Sequence, residues 1–357
     1  MSAISCLLAP LSLQWPGRSQ LLVPVLLALL QGCSHLSQPA PPLEPVASHR
    51  FEFDPATESV VGEIQIVQAR ADDTLSDIAR RFNLGYEEIV RANPGVDPWL
   101  PRAGTEIVLP TRHVLPDAPR RGIVINLAAM RLYHFLEPAA DGTQTVVTHP
   151  VGIGRVGWHT PQGTTTVISK RTDPTWYPPV SVRREHAANG DPLPAAVPPG
   201  PDNPLGRHAM RLGWTSYLIH GTNRPYGVGL RASHGCIRMY PEDIEQLYEQ
   251  TAIGTPVTIV NQPVVLGWRG DTLYAQAFPA LEEDQRDWQR EAPRLLTRAL
   301  RERNMAPADA EVIGVLVAQP RGIAVPLATV QDLDGYLAGA PRVLNQLPLG
   351  ANWSGID

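Results

Sequence analysis

Hydrophobic positions change period along the chain. Between Glu63 and Pro110 a brief alternation at Ile64 and Ile66 gives way to Leu75, Ile78, Ala79 and Phe82, the three- and four-residue spacing of one helical face. Asp72 or Asp73 stands where that helix would be capped. A second short helix fits Tyr86 to Ala92, stopped by Asn93-Pro94-Gly95, and Glu106 to Leu109 reads as a closing strand. The pattern predicts a small βααβ unit over residues 61–111.

From Arg121 strand signals take over. Ile123 to Leu127, Arg131 to Phe135, Thr145 to Gly152, Thr164 to Ser169, His208 to Leu212, Ser216 to Ile219 and Val257 to Val260 read as strands separated by turn residues. Ile244, Leu247 and Tyr248 mark one short amphipathic helix that ends at Gly254. A mainly β domain follows for residues 120–262, antiparallel and sandwich-like. The stretch Thr172 to Pro204, with Trp176, Tyr177 and repeated prolines, is too long and irregular for a simple connection and reads as a functional loop or lid. Residues 263–357 predict an appended α/β extension expected to pack on the β domain: a strand at Asp271 to Phe278, a helix from about Asp284 to Arg303 and a returning strand at Glu311 to Ala318.

The chain has 357 residues, 43% hydrophobic and 18% charged, which suits a soluble globular protein of two or three domains. A formal charge of −5 without a long basic run leaves no footprint for nucleic acid. At the N-terminus, Arg18 precedes the apolar run Leu21 to Leu30, too short to span a bilayer comfortably, so residues 1–32 read as a signal peptide. The run ends in Leu30-Gln31-Gly32-Cys33, which resembles a bacterial lipobox, with Cys33 as the lipidated residue; ordinary secretory cleavage is the alternative. A Pro-rich linker over residues 33–60 would then carry the folded part away from the lipid.

Cysteine usage narrows the chemistry. Cys6 lies in the leader and Cys33 at its end, so Cys236 stands alone in the rest of the chain. In a disulfide-permissive compartment such a cysteine is either a small buried hydrophobe or a reactive thiol. Its neighbours favour the thiol: Ile219-His220-Gly221-Thr222 is followed at short range by Ala232-Ser233-His234-Gly235-Cys236-Ile237-Arg238. A thiol near neutral pH is mostly protonated, and a neighbouring imidazole or cationic field turns it into the attacking thiolate. The loop Thr222 to Arg231 is long enough to fold His220 back onto Cys236, with Arg231 and Arg238 adding positive field. A zinc site drawn from His208, His220, His234 and Cys236 is the weaker competing reading, since no second cysteine stands at paired spacing. His149 and His159, like His208 taken alone, read as surface or satisfied core histidines.

This stretch resembles the His-Gly…Ser-His-Gly-Cys signature of the L,D-transpeptidases, the YkuD-type catalytic domain. Thr160-Pro161-Gln162-Gly163-Thr164 and Pro174-Thr175-Trp176 match the same family, over about Gly122 to Val260. The βααβ unit resembles a LysM module, a fold that grips N-acetylglucosamine polymers. The resemblance implies Cys236 as nucleophile and His220 as its base, oriented by the Gly221 carbonyl. It implies Ser233 and His234 as organisers of the loop, and the amides around Gly235 and Cys236 as the oxyanion hole. Arg238, where many members carry Asn, Arg231, Trp176 and Thr222 are the expected substrate contacts. No metal or organic cofactor is implied, because thiolate, imidazole and oxyanion hole supply the acyl transfer.

The implied substrate is the peptidoglycan stem tetrapeptide and the implied place the periplasm or cell envelope, with membrane contact only through a lipid on Cys33. The acyl acceptor would be another stem's amine or the lysine of an envelope protein. The domain order resembles members that attach Braun-type lipoprotein to the wall. Two other readings stay open: a hydrolase of the same bonds, and an inert wall-binding lipoprotein.

Overall fold

A computed structural model describes residues 42–46, 49–348 and 351. The expected leader, Cys33 and the first part of the linker lie outside the described residues.

The end of the expected linker is folded rather than a spacer: β1 (Arg50–Phe53) pairs with a strand of the β domain, where Phe53 is buried, and β2 (Val60–Gly62) follows; the chain then forms the expected βααβ unit from β3 (Gln65–Gln68), α1 (Leu75–Arg81), α2 (Tyr86–Ala92) and β4 (Glu106–Leu109). Leu75, Ile78, Ala79 and Phe82 are fully buried, as the helical spacing requires. The cap differs from the expectation. Thr74, not Asp72 or Asp73, accepts the Asp77 N–H at 3.2 Å while the Asp77 carboxylate accepts the Thr74 N–H at 2.9 Å, a reciprocal box that satisfies two helix-end donors. Asp73 instead pairs with Arg81 at 2.9 Å.

β5 (Arg112–Val114) pairs with β2, and the mainly β domain follows. Its elements are β6 (Gly122–Asn126), β7 (Arg131–Phe135), β8 (Gln144–Pro150), β9 (Ile153–Gly154), β10 (Gly163–Thr172), α3 (Val180–Ala188), β11 (His208–Leu212), β12 (Leu218–His220), β13 (Arg231–Ser233), β14 (Ile237–Arg238), α4 (Pro241–Gln250) and β15 (Pro256–Val260). One nine-stranded sheet runs β1-β8-β7-β6-β15-β10-β11-β12-β14. It is mixed rather than wholly antiparallel, because β12 pairs with β14 and β15 with β6 in parallel. Ile123, Val167, Met210, Ile219, Ile237 and Ile259 bury one of its faces together with Ile244 and Leu247 of α4.

The remaining residues form β16 (Val264–Arg269), β17 (Thr272–Ala277), α5 (Trp288–Glu302), α6 (Ala310–Ala318), β18 (Val325–Pro326) and α7 (Leu333–Ala338). The strand expected at Glu311 to Ala318 is the helix α6. Its Val- and Ile-rich run suits a strand, but Ile313 and Leu316 fall three residues apart and both enter one core with Leu296 and Leu300, so packing overrides local preference. Ile64 and Ala92 of the βααβ unit join that core, and Val343 N–H donates to Ile66 O at 2.8 Å. The extension therefore packs on the small unit as well as on the β domain, where Val265 and Phe278 meet Ala128 and Ala129.

The small unit is also joined to the β domain through buried polar contacts. Asn83 donates to both carboxylate oxygens of Asp243 on α4, at 2.8 and 2.9 Å, and the Tyr240 hydroxyl donates to Leu84 O at 3.1 Å. Arg80 makes a two-pronged pair with Glu242 at 2.8 and 2.9 Å. The backbones touch at Gly85 and Gly229; a Cβ on Gly229, at φ +80, would fall 2.4 Å from the Gly85 Cα, so only glycine fits.

Candidate active site

Strand register assembles the site. Ala209 stands opposite His220 and Arg211 opposite Leu218, while His220 lies beside Arg238 and Ile219 beside Ile237. Side chains alternate across a strand, and Ile219 and Ile237 point into the core, so His220 and Arg238 point to the other face. Cys236, two residues before Arg238, shares that face. His220, Ser233, His234, Cys236 and Arg238 line one cavity of about 590 Å³. The segment after β10 contributes Pro174, Trp176, Tyr177 and Val182 to the same cavity, so the stretch expected as a lid shares its walls with the thiol.

His220 is buried, and its Nδ1 lies 2.6 Å from Gly221 O. A carbonyl only accepts, so Nδ1 carries the proton and Nε2 of the neutral ring keeps a free lone pair. Burial pushes His220 down to about 3; Arg238 pushes the same way, against the carbonyls of Gly221 and Leu205. The imidazole is thus an uncharged base at neutral pH.

Cys236 sits on a tight turn. Gly235 has φ +100, and a Cβ there would meet Tyr217 Cε1 at 2.8 Å, so the residue before the thiol has to be glycine. Ser233 Oγ donates to Cys236 O at 2.6 Å and accepts the Gly235 N–H at 3.1 Å. Thr160 Oγ1 donates to Gly235 O at 2.9 Å. The Gly235 amide, expected as an oxyanion donor, is therefore already engaged by Ser233, which leaves the Cys236 amide of that pair. The Cys236 thiol donates to Ser216 O at 3.5 Å rather than to His220. Burial pushes the thiol up, with the Leu218 backbone and the Arg238 guanidinium pulling it down less strongly. Thiol and imidazole are both neutral at rest, and both line the same cavity.

His234 couples the turn to the lid. Its Nε2 lies 3.2 Å from Arg155 Nη2; arginine only donates, so this nitrogen accepts. Arg155 also pairs with Glu185 of α3, and the Trp158 ring meets His234 edge-on at 4.8 Å. Trp176 is in the cavity wall, held by a two-way backbone pairing with Val197 at 2.9 and 2.8 Å.

Arg231 and Thr222, expected as substrate contacts, are not brought to the cavity. Arg231 lies on β13 and pairs with Glu283 at 2.9 Å; the Thr222 hydroxyl accepts the Arg224 N–H at 3.0 Å. The His208 ring lies 4.6 Å from that of Tyr248, tilted by 39°, and among the described residues no cluster of His, Cys, Asp and Glu is arranged to hold a metal. Sequence reasoning missed Arg171 and Arg211, which line the cavity, and Asn203, which ties down the lid. For the arginines the available signal was alternation about Lys170 and Met210; for Asn203 there was none.

The family model described as the L,D-transpeptidase catalytic domain matches residues 120–259, and that of the LysM domain matches residues 68–110. The probable L,D-transpeptidase YcfS of Escherichia coli (strain K12) is 44% identical over 225 residues, which cover 62% of this chain and 69% of that protein. The probable L,D-transpeptidase ErfK/SrfK of Salmonella typhimurium is 42% identical over 217 residues, 60% of this chain and 69% of the relative. The chain thus spans about two thirds of the length of these relatives. Among solved structures, the catalytic domain from the E. faecium L,D-transpeptidase is matched in full by 41% of this chain, at 23% identity and a TM-score of 0.30. A cavity lined by Cys236 and His220, the match to the catalytic-domain family model and 44% identity across 69% of a relative agree: the chain belongs to the L,D-transpeptidase family.

Proposed function

We propose that this L,D-transpeptidase acts on peptidoglycan stem tetrapeptides through a thioester on Cys236, releases the terminal D-alanine and transfers the remaining acyl group to an amine. What supports the reading is the face shared by His220, Cys236 and Arg238, with the His220 ring held in the proton-accepting tautomer by Gly221 O. His220 Nε2 takes the thiol proton as sulfur attacks the carbonyl of the third stem residue. The Cys236 amide receives the oxyanion, and His220 returns the proton to the departing D-alanine amine. The acceptor amine then gives its proton to His220 and displaces the thiol. Arg238, whose buried Nε has no partner among the described residues, is placed to receive a substrate carboxylate beside the reacting carbon.

The acceptor is the third-residue amine of another stem or the lysine of an envelope protein. The LysM module, joined to α4 through Asn83–Asp243 and Arg80–Glu242, holds the glycan while the stem reaches the cavity. Peptidoglycan places the enzyme in the cell envelope, held there by a lipid on Cys33. The test is intact-mass spectrometry of the mature protein with disaccharide-tetrapeptide, beside Cys236→Ala. An adduct on the wild type alone, with D-alanine and cross-linked dimer, is the expected result; tripeptide without dimer would replace transfer by hydrolysis. A folded wild type with neither adduct nor D-alanine would overturn the reading.

A further inference from the structure

The face that carries the thiol continues across two more strands. Ser169 stands opposite Arg211, and Arg171 opposite Ala209. With the pairings of β11 and β12, one row across the sheet reads Arg171, Ala209, His220, Arg238, and the next reads Ser169, Arg211, Leu218, then Cys236. Strands lie about 4.8 Å apart, so the Arg211 backbone is about 10 Å from that of Cys236, within the span of a short peptide plus an arginine side chain.

Arg171 and Arg211 are diagonal neighbours on one face, a placement of like charges that weakens a sheet unless something offsets it. Among the described residues nothing does so. Both are exposed at the cavity, no Asp or Glu lines that cavity, and neither arginine pairs with a carboxylate among the described residues. By contrast, Arg80, Arg81, Arg131, Arg155 and Arg231 each pair with one. Ala209, between Arg171 and His220, leaves the space above the row open to a ligand. β14 is the last strand of the sheet, so from Cys236 this face extends only toward the arginines, under the lid.

We propose that Arg171 and Arg211 form a carboxylate clamp that holds the free carboxylates of the donor stem peptide while its reacting carbonyl lies at Cys236. The proposal rests on the reading above and adds that donor recognition is by negative charge at a distance from the scissile bond. The guanidinium forks suit carboxylates, and because they are exposed their hold weakens with salt. The clamp acts in binding, so it changes KM and leaves the thiol's intrinsic reactivity alone.

Arg171→Gln, Arg211→Gln and the double variant, each shown folded by its melting curve, are compared in D-alanine release from disaccharide-tetrapeptide and in alkylation by iodoacetamide. Expected are a KM raised roughly tenfold in the double variant and an unchanged alkylation rate. Wild-type KM should rise with ionic strength more steeply than that of the double variant, in which Arg238 alone still meets a carboxylate. A tetrapeptide with its side carboxylates amidated should bind the wild type as weakly as the anionic peptide binds the double variant. An unaltered KM in the folded double variant would overturn the clamp.

Binding to Cys236→Ala by calorimetry separates this from the parent reading. If the wild type releases no D-alanine, the proposed function fails, yet a preference of Cys236→Ala for the anionic over the amidated peptide that vanishes on adding both Gln substitutions would still establish the clamp; no such preference would sink it.

Discussion

Arg131 of β7 and Glu88 of α2 form a two-pronged ion pair, Nε to Oε1 at 2.9 Å and Nη2 to Oε2 at 2.8 Å, with almost no solvent on either side chain. The second guanidinium arm also donates to Asn83 O at 2.8 Å. The pair crosses from the catalytic sheet to the LysM module. Breaking a buried pair from one side strands a charge, so Glu88→Ala should cost about 3–5 kcal/mol of stability. Replacing both residues by apolar ones of similar size should cost much less than the two single changes together. Calorimetric unfolding checks this, and the wild type should unfold with both modules in one transition; separate melting of the LysM module would contradict their coupling.

A second prediction concerns the resting charge of the site. His220 lies near 3 and burial raises the Cys236 thiol, so between these limits both groups are neutral. Alkylation of Cys236 by iodoacetamide should therefore climb with pH through and beyond the ordinary thiol range, without a plateau at neutral pH. A reactive plateau near pH 6 would mean a preformed thiolate-imidazolium pair instead. His220→Gln should abolish acyl transfer while leaving alkylation at high pH.

Stability should also follow the buried histidines. His49 and His134 are each lowered to about 4 by burial, and His220 to about 3, whereas the unfolded chain titrates near 6.5. Between about pH 6.5 and 4 the unfolded state binds more protons, so stability falls as pH falls, by up to about 1.4 kcal/mol per pH unit for each such histidine. Paired carboxylates with lowered values, such as Asp73 and Glu63, add a loss only further into acid. Urea midpoints taken from pH 7 to pH 5 should decline steadily; a flat profile there would show that these rings are hydrated.

What the sequence disclosed, and what it hid, follows from the range of the interactions. The helix at Tyr86–Ala92 and the strand at Glu106–Leu109 have their expected bounds because local period and breakers decide them. Cys236, Ser233 and His220 were legible because their chemistry is packed into one short stretch. The rows Arg171–Ala209–His220–Arg238 and Ser169–Arg211–Leu218–Cys236 were not, since register among four strands sets them. Arg231 misled for the same reason: close to Cys236 in sequence, it belongs to β13 and turns to Glu283. Arg131 gave no sign that a charge at a strand start would be buried against another module.

One buried side chain gathers the ends of the lid. Asn203, 1% exposed, donates to Pro174 O at 2.8 Å, Pro198 O at 3.1 Å and Val197 O at 3.2 Å, and its carbonyl accepts the Leu205 N–H at 2.9 Å. These bonds gather both ends of the Pro-rich segment beside Trp176, so they hold the cavity wall over Cys236 without touching the thiol. Asn203→Asp keeps the shape but turns a carboxylate oxygen toward carbonyl oxygens, which removes the donors and adds repulsion. The lid should then open. A melting midpoint lowered in line with about 1–3 kcal/mol is expected from the unsatisfied buried groups. With the wall displaced, water should reach the thioester, so the ratio of tripeptide to cross-linked dimer should rise while alkylation of Cys236 becomes no slower. A variant with wild-type product ratio, despite the lowered midpoint, would show that the lid does not exclude water and that acceptor choice is made elsewhere in the cavity.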